Sequence, residues 1–107
     1  PQALDYVIIE ADGAKHHSLK YPAADEPVIY PGTTDVIIVL GTWEKGRSCK
    51  DVVFRYELMQ EELGTAADAV VDDSIIDTLR QVYVRKLHDS GFEGRVSCVF
   101  ANERGWF

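Results

Sequence analysis

Basic residues are scarce in this chain. Eleven lysines and arginines stand against eighteen aspartates and glutamates, which gives a net charge of −7 over 107 residues. An acidic surface repels the phosphate backbone of DNA and RNA, so the composition argues against a general nucleic-acid-binding protein. A bound nucleotide would need magnesium and local lysines to offset this charge.

Long apolar runs are also absent. No uninterrupted apolar segment approaches the roughly 20 residues that span a bilayer, and the first residues lack the order of a secretion signal. The balance of 46% hydrophobic and 27% charged residues is typical of a soluble globular chain. We therefore expect a cytoplasmic protein with no membrane partner, in which residues 1–107 form one domain.

Cysteine is rare, which argues against a disulfide framework. The two thiols, Cys49 and Cys98, do not combine with His16 and His17 in any zinc-binding spacing. Cys98 lies within an apolar run and should pack as a small hydrophobic residue, whereas Cys49 is expected to be exposed near a helix start.

Three apolar runs, at residues 4–9, 34–40 and 96–101, have the composition of strands buried on both faces. Two helical patterns separate the second run from the third. One is predicted from Ser48, with Asp51 in a capping box, through residue 63 to a stop at Gly64. The other is predicted from residues 72–74, with a Ser74–Asp77 box, to a stop before Gly91. The alternation predicts an α/β fold with a parallel sheet.

The connection between the first two predicted strands, residues 13–32, is long and contains prolines at positions 22, 27 and 31. Proline fixes φ and removes a backbone donor, so we expect an ordered but irregular loop. Loops of this length in compact domains are often functional.

The first apolar run ends in the charged segment EADGAK, and the loop continues with LKYP and EPVIYP. These motifs, within residues 5–41, resemble the YqeC family. That family is described as an accessory protein of selenium-dependent molybdenum hydroxylases and is similar to P-loop nucleotide hydrolases. The resemblance implies a three-layer, mostly parallel sheet flanked by helices, a partial P-loop NTPase-like (Rossmann-like) fold.

The sequence contains no G-x-x-x-x-G-K-[ST] phosphate loop, which the resemblance places upstream of the acidic strand. Two interpretations stand. The 107 residues are a carboxyl-side fragment of a larger hydrolase-like domain, expected to be inactive alone, or they are a natural degenerate paralogue that acts as a binding module.

The resemblance also implies roles for individual residues. Glu10 and Asp12 would hold Mg²⁺, Asp12 and Lys15 would act in catalysis, and four residues would contact the nucleotide: Gly13, Lys20, Glu26 and Asn102. The alternatives are a plain turn at Asp12-Gly13, a solvated lysine at position 15, and a Lys20–Glu26 ion pair. Asn102 alone matches an N-K-x-D motif, which leaves the nucleotide base open.

Three functions follow from these interpretations. The first is a maturation factor for a molybdenum hydroxylase that uses Mg²⁺ and a nucleoside triphosphate. The second is a non-hydrolytic module that binds a molybdenum-pterin cofactor or the hydroxylase itself. The third is a partner-docking domain, and in the fragment interpretation an uncovered sheet edge also predicts self-association.

Overall fold

The computed structural model describes residues 6–10, 19–26 and 32–101, with 6–10 and 101 described by their backbone alone. In chain order the elements are β1 (Tyr6–Glu10), β2 (Leu19–Lys20), β3 (Asp35–Gly41), α1 (Cys49–Val52), β4 (Val53–Phe54), α2 (Tyr56–Leu63), α3 (Asp73–Asp89) and β5 (Arg95–Ala101). They form a small α/β unit with two short parallel sheets. None of the described helices is long and apolar enough to cross a membrane.

The larger sheet has the order β1-β3-β5, and both of its strand pairs are parallel. Tyr6 pairs with Asp35, and Asp35 pairs in turn with Arg95, so the three strands start level with one another. The three predicted strands and their parallel arrangement are confirmed. The expected burial on both faces is wrong for β5, where Val99 and Phe100 are exposed, because within the described sheet this strand lies at an edge. Parallel neighbours require long crossovers, and α3 lies in the connection from β3 to β5.

The core includes the contact of α3 with β3, and it continues through buried residues of β2, α1, β4 and α2. Val36, Ile38 and Leu40 alternate along β3 and are fully buried, as expected for one face of a strand. The buried side chains of α3 recur at helical spacing: Ile76, Leu79, Val82, Tyr83 and Leu87. Burying each large apolar side chain contributes about 1.5–3 kcal/mol, so this contact accounts for much of the stability.

The second predicted helix is confirmed as α3, but its predicted cap is wrong. The N-cap is Asp72, whose Oδ1 accepts a hydrogen bond of 2.8 Å from the backbone N–H of Ile75. Ser74 lies inside the helix, and Asp77 accepts from Arg80 and not from a capping group. An aspartate placed one residue before the first turn satisfies a free N–H and carries the charge that the helix dipole favours.

The first predicted helix, residues 48–63, is wrong as one continuous element. The structure divides it into α1, the strand β4 and α2, and Ser48 makes no side-chain cap. The residues at the division, Val52 to Phe54, are β-branched or aromatic and therefore fit a strand well. Pairing with β2 overrides the helical spacing at this point. The predicted stop at Gly64 is confirmed, with φ of 70° and its N–H bonded to the oxygen of Gln60.

The second sheet is the parallel pair β2-β4, in which Leu19 pairs with Val53 and Lys20 with Phe54. The backbone N–H of Tyr21 extends this ladder to the oxygen of Phe54 at 2.9 Å. The predicted irregular loop therefore contains a short strand that ties it to the segment before α2.

The expectation for Cys49 is also wrong. Its side chain is fully buried in the core, and this burial, together with the charge of Asp72, raises the pKa of the thiol. Cys98 is partly buried against the core, as expected for a small hydrophobic residue.

Candidate functional site

The strands of the larger sheet end along one edge. Glu10 is the last residue of β1 and pairs with Val39, while Gly41 and Ala101, the last residues of β3 and β5, pair with each other. In open parallel sheets ligands bind at the carboxyl edge, because the loops that leave the strands converge there. The backbone of Glu10 therefore lies at the edge where a ligand site is expected.

Four of the predicted site residues lie outside the described residues: Asp12, Gly13, Lys15 and Asn102. The side chain of Glu10 also lies outside them, and Asn102 follows directly on Ala101 in the sequence. Carboxylate oxygens are the hard ligands that Mg²⁺ prefers, so the chemistry of Glu10 and Asp12 fits that ion. In the part of the chain that the structure describes, no group of three or more His, Cys, Asp or Glu residues is placed to hold a metal.

Lys20 and Glu26 lie within the described residues and contact each other. Nζ of Lys20 donates to Oε2 of Glu26 at 3.2 Å, and the two side chains are 25% and 29% exposed. Of the two alternatives left open by the sequence, the structure shows the ion pair. A role for either residue in nucleotide binding stays a prediction.

A third charged residue, Arg55, completes this group. Its Nη1 donates to Oε1 of Glu26 at 3.1 Å and to the backbone oxygen of Tyr21 at 3.4 Å. Its guanidinium lies over the ring of Phe54, with Cζ 4.8 Å from the centroid. We call Lys20, Glu26 and Arg55 the charged cluster.

Arg55 is the residue that joins β4 to α2, and its backbone is left-handed, with φ of 66° and ψ of 38°. Among the described residues it is the one non-glycine residue with positive φ. This conformation costs roughly 1 kcal/mol or more for a residue with a Cβ atom, and such residues are concentrated at functional sites. Its carbonyl nevertheless starts α2, since the N–H groups of Leu58 and Met59 both donate to it.

The carboxylate of Glu26 is held in its charged form. Partial burial opposes ionisation, but the hydrogen bonds from the Ala23 N–H and from Lys20, with the charges of Lys20 and Arg55, outweigh it. Their net effect is to lower the pKa of Glu26 below its ordinary value. The Ala23 contact, 3.0 Å to Oε1, closes the turn that presents Glu26.

Two tyrosines fix the chain around the charged cluster. The hydroxyl of Tyr83, on α3, donates to the backbone oxygen of Lys20 at 2.8 Å. The hydroxyl of Tyr21 donates to Glu62, on α2, also at 2.8 Å. Burial and then this contact with Glu62 raise the pKa of Tyr21 to about 12. Both helices therefore hold the segment after β2 in one position.

Sequence reasoning did not assign Arg55 to a site. The residue lay in the middle of a predicted helix, where an exposed arginine is ordinary. Its left-handed backbone depends on where β4 ends, and its contact with Glu26 spans 29 positions. Residues 55–58, RYEL, loosely resemble an arginine-proline-glutamate helix motif of the YqeC family, and this was the signal available in the sequence.

The loop after β3 deserves comparison with a phosphate loop. Its sequence from Gly41 to Ser48, GTWEKGRS, has the glycine spacing of G-x-x-x-x-G-K-[ST], with Arg47 in place of lysine. A phosphate loop binds through free backbone N–H groups. Here the N–H of Gly46 donates to Val71, that of Arg47 to Glu44, and that of Cys49 to Ala69. These three N–H groups are therefore occupied by backbone carbonyls and are not free to bind phosphate.

Comparison with known families gives one match, to a family model described as YqeC protein, over residues 1–57. The match covers just over half of the 107 residues. It includes the acidic end of β1 and all three members of the charged cluster. No curated protein and no solved structure matches the chain.

Proposed function

Since the chain belongs to the YqeC family, we propose that it is an accessory factor in the maturation of a selenium-dependent molybdenum hydroxylase. In this proposal the protein has a partial P-loop NTPase-like fold and binds Mg²⁺ and a nucleoside triphosphate at the carboxyl edge of the larger sheet. The hydroxylase or its cofactor is the partner. Binding or hydrolysis of the nucleotide changes the conformation that loads or releases the metal centre.

The observation that carries the nucleotide part is the placement of the strand ends. β1 ends at Glu10 beside β3, and β3 ends beside β5, so the segments that contain Glu10, Asp12 and Asn102 leave the sheet along one edge. Glu10 and Asp12 would hold the metal, which would supply positive charge to the phosphates. Asn102 contacts the base.

Two further residues serve the phosphates in this proposal. Gly13 allows the backbone to approach the ligand closely, because it has no Cβ atom. Lys15 is a compact cation that would neutralise phosphate charge, while Asp12 would act through the magnesium ion or its water. Lys20 and Glu26 lie on the chain segment that follows and contact the nucleotide from there.

A second function is favoured by the Gly41 to Ser48 loop, in which the N–H of Gly46 donates to Val71 and that of Arg47 to Glu44, and by the lack of a phosphate-loop motif in the sequence. In that function the protein does not hydrolyse a nucleotide. It binds a molybdenum-pterin cofactor or docks on the hydroxylase, and the acidic residues accept hydrogen bonds.

Complementation in cells tests the accessory role. We expect deletion of the gene to lower hydroxylase activity while the hydroxylase protein persists, and we expect the wild-type gene to restore it. Asp12→Asn should fail to restore activity, whereas Asp68→Asn, which changes an exposed loop aspartate, should succeed. Unchanged hydroxylase activity after deletion would contradict the accessory role. Full rescue by Asp12→Asn would favour the non-hydrolytic function.

A further inference from the structure

The second, smaller sheet also has a carboxyl edge, and two cations lie on it. Lys20 is the last residue of β2, and Arg55 directly follows Phe54, the last residue of β4. Because Lys20 pairs with Phe54 in a parallel ladder, the two strands end side by side. The carboxyl ends of parallel strands are the usual place for ligands.

The charged cluster is not neutral. Both cations contact the one carboxylate of Glu26, which leaves a local charge of +1 in a chain whose net charge is −7. The three side chains are 25–32% exposed, so solvent reaches them. All hydrogen bonds of Arg55 to other described residues come from Nη1, which leaves Nη2 and Nε without a partner among those residues.

The fold positions the guanidinium of Arg55 independently of Glu26, and it also fixes the backbone of Lys20. Tyr83 bonds the backbone of Lys20, while the ring of Phe54 and the oxygen of Tyr21 orient the guanidinium of Arg55. Because the guanidinium and the lysine backbone are already held in place, exchange of one anion for another costs less conformational entropy than ordering two free side chains. An anion from solution can therefore replace the Glu26 carboxylate between the two cations.

We propose that Lys20 and Arg55 form a binding site for a phosphate dianion, free or as a phosphate monoester, which displaces Glu26. This site lies on the smaller sheet, whereas the proposed metal ligands Glu10 and Asp12 belong to the end of β1 and the segment after it. It shares Lys20 and Glu26 with the proposed nucleotide contacts, and it rests on the proposed function only where the phosphate belongs to a nucleotide. The charges select the ligand. A dianion neutralises both cations. A free monocarboxylate carries the same single charge as Glu26 and cannot displace it, because Glu26 is part of the chain and is present at a high effective concentration. Arginine and lysine are also the side chains that match phosphate oxygens best.

The test is a titration of the 107-residue chain with sodium phosphate, followed by amide ¹H–¹⁵N spectra at constant ionic strength. We expect saturating shifts at the amides of Lys20, Ala23, Glu26 and Arg55. Glu26→Gln should bind phosphate about tenfold more tightly, because the competing charge is gone while the side-chain shape remains. Sodium acetate should produce no saturating shift at these amides.

Two variants remove the cations. Arg55→Gly should abolish binding while it keeps the fold, since glycine adopts the left-handed backbone without strain. Lys20→Gln is the second variant, because it retains the backbone oxygen that Tyr83 contacts. Arg47→Ala is the matched control, since Arg47 also pairs with a glutamate, Glu44, but on an exposed turn elsewhere.

Loss of binding in Arg55→Gly and Lys20→Gln with retention in Arg47→Ala supports the proposal. The proposal would be overturned if phosphate caused no saturating shifts, or if acetate bound as tightly as phosphate. It would also be overturned if Arg47→Ala weakened phosphate binding as much as the two variants do, or if Glu26→Gln bound phosphate more weakly than the wild type. A parallel titration with ATP without magnesium identifies the source: tighter binding than phosphate points to a nucleotide, and equal binding to free phosphate. Asp12→Asn should leave phosphate binding intact, so phosphate binding at Lys20 and Arg55 and metal binding at Glu10 and Asp12 succeed or fail separately.

Discussion

Nη1 of Arg55 lies 3.1 Å from Oε1 of Glu26 and joins residues that are 29 positions apart in the chain. The contact connects the turn after β2 to the start of α2, and Lys20 shares the same carboxylate. It therefore fixes one end of the loop that carries much of the family resemblance. Its loss should affect both stability and the order of that loop.

Glu26→Gln should destabilise the protein at pH 7 by roughly 1–2 kcal/mol, because it weakens charge-assisted hydrogen bonds. The pKa of Glu26 is lower in the folded state than its ordinary value of 4.5. Its contribution is therefore present above about pH 4.5 and is lost as the pH falls through the folded pKa. Urea unfolding at pH 7 and pH 3 should show the difference between wild type and variant shrinking at low pH. Glu44→Gln is the control, and a constant difference across this range would contradict the account.

Arg55→Gly and Arg55→Ala remove the same guanidinium but differ in backbone freedom. With φ of 66° at this position, alanine must adopt a conformation that glycine adopts freely. We expect Arg55→Gly to be more stable than Arg55→Ala by about 1 kcal/mol in urea unfolding. Equal stabilities would show that the left-handed backbone is not retained.

Tyr21 should ionise late in a spectroscopic titration. Its folded pKa of about 12 lies above its ordinary value of 10, mainly because of burial. The stability that this neutral hydroxyl contributes is present below pH 10 and is lost as the pH rises through 12. Absorbance of tyrosinate should show a late-titrating group that disappears in Tyr21→Phe.

The same variant should lose about 1 kcal/mol of stability, because the hydrogen bond to Glu62 is lost. Glu62→Gln should lower the pKa of Tyr21. A titration curve unchanged by Tyr21→Phe would be the contrary result.

We expect the 107-residue chain to self-associate through β5. Within the described residues β5 pairs with β3 alone, and its residues Val99 and Phe100 are exposed. An edge strand with exposed apolar side chains is a template for pairing, and lysine on such a strand prevents it. Val99→Lys should therefore shift sedimentation towards monomer, whereas Val70→Lys, at an exposed valine outside this sheet, should not. A monomeric wild-type chain at high concentration would contradict this prediction.

The sequence was sufficient to predict those elements whose pattern of apolar residues is periodic and local. The strands β1, β3 and β5 are continuous apolar runs, and α3 carries its apolar residues at helical spacing between clear stops. The division of residues 48–63 was not readable, because Val52 and Val53 fit a helical stripe as well as a strand. Pairing with Leu19 and Lys20, more than 30 positions earlier, decides between them.

The charged cluster was readable only in part. Lys20 and Glu26 are six positions apart in one loop, so a pair between them was an evident alternative. Arg55 reaches the same carboxylate only because β4 lies beside β2 and because its own backbone is left-handed. Neither the strand pairing nor the left-handed backbone can be predicted from the residues next to Arg55.

Calorimetry with the complete product of the gene tests the central claim most directly. Titration with Mg²⁺ and ATP or GTP should give saturable heat that requires magnesium. Glu10→Gln and Asp12→Asn should each weaken binding by at least about tenfold, as expected for the loss of a metal ligand, while Asp68→Asn should leave binding unchanged. Saturable binding that is lost in the first two variants alone is the result that the account predicts. No binding, or binding that is unchanged in Glu10→Gln and Asp12→Asn, would contradict a metal-nucleotide site at the carboxyl edge of the larger sheet.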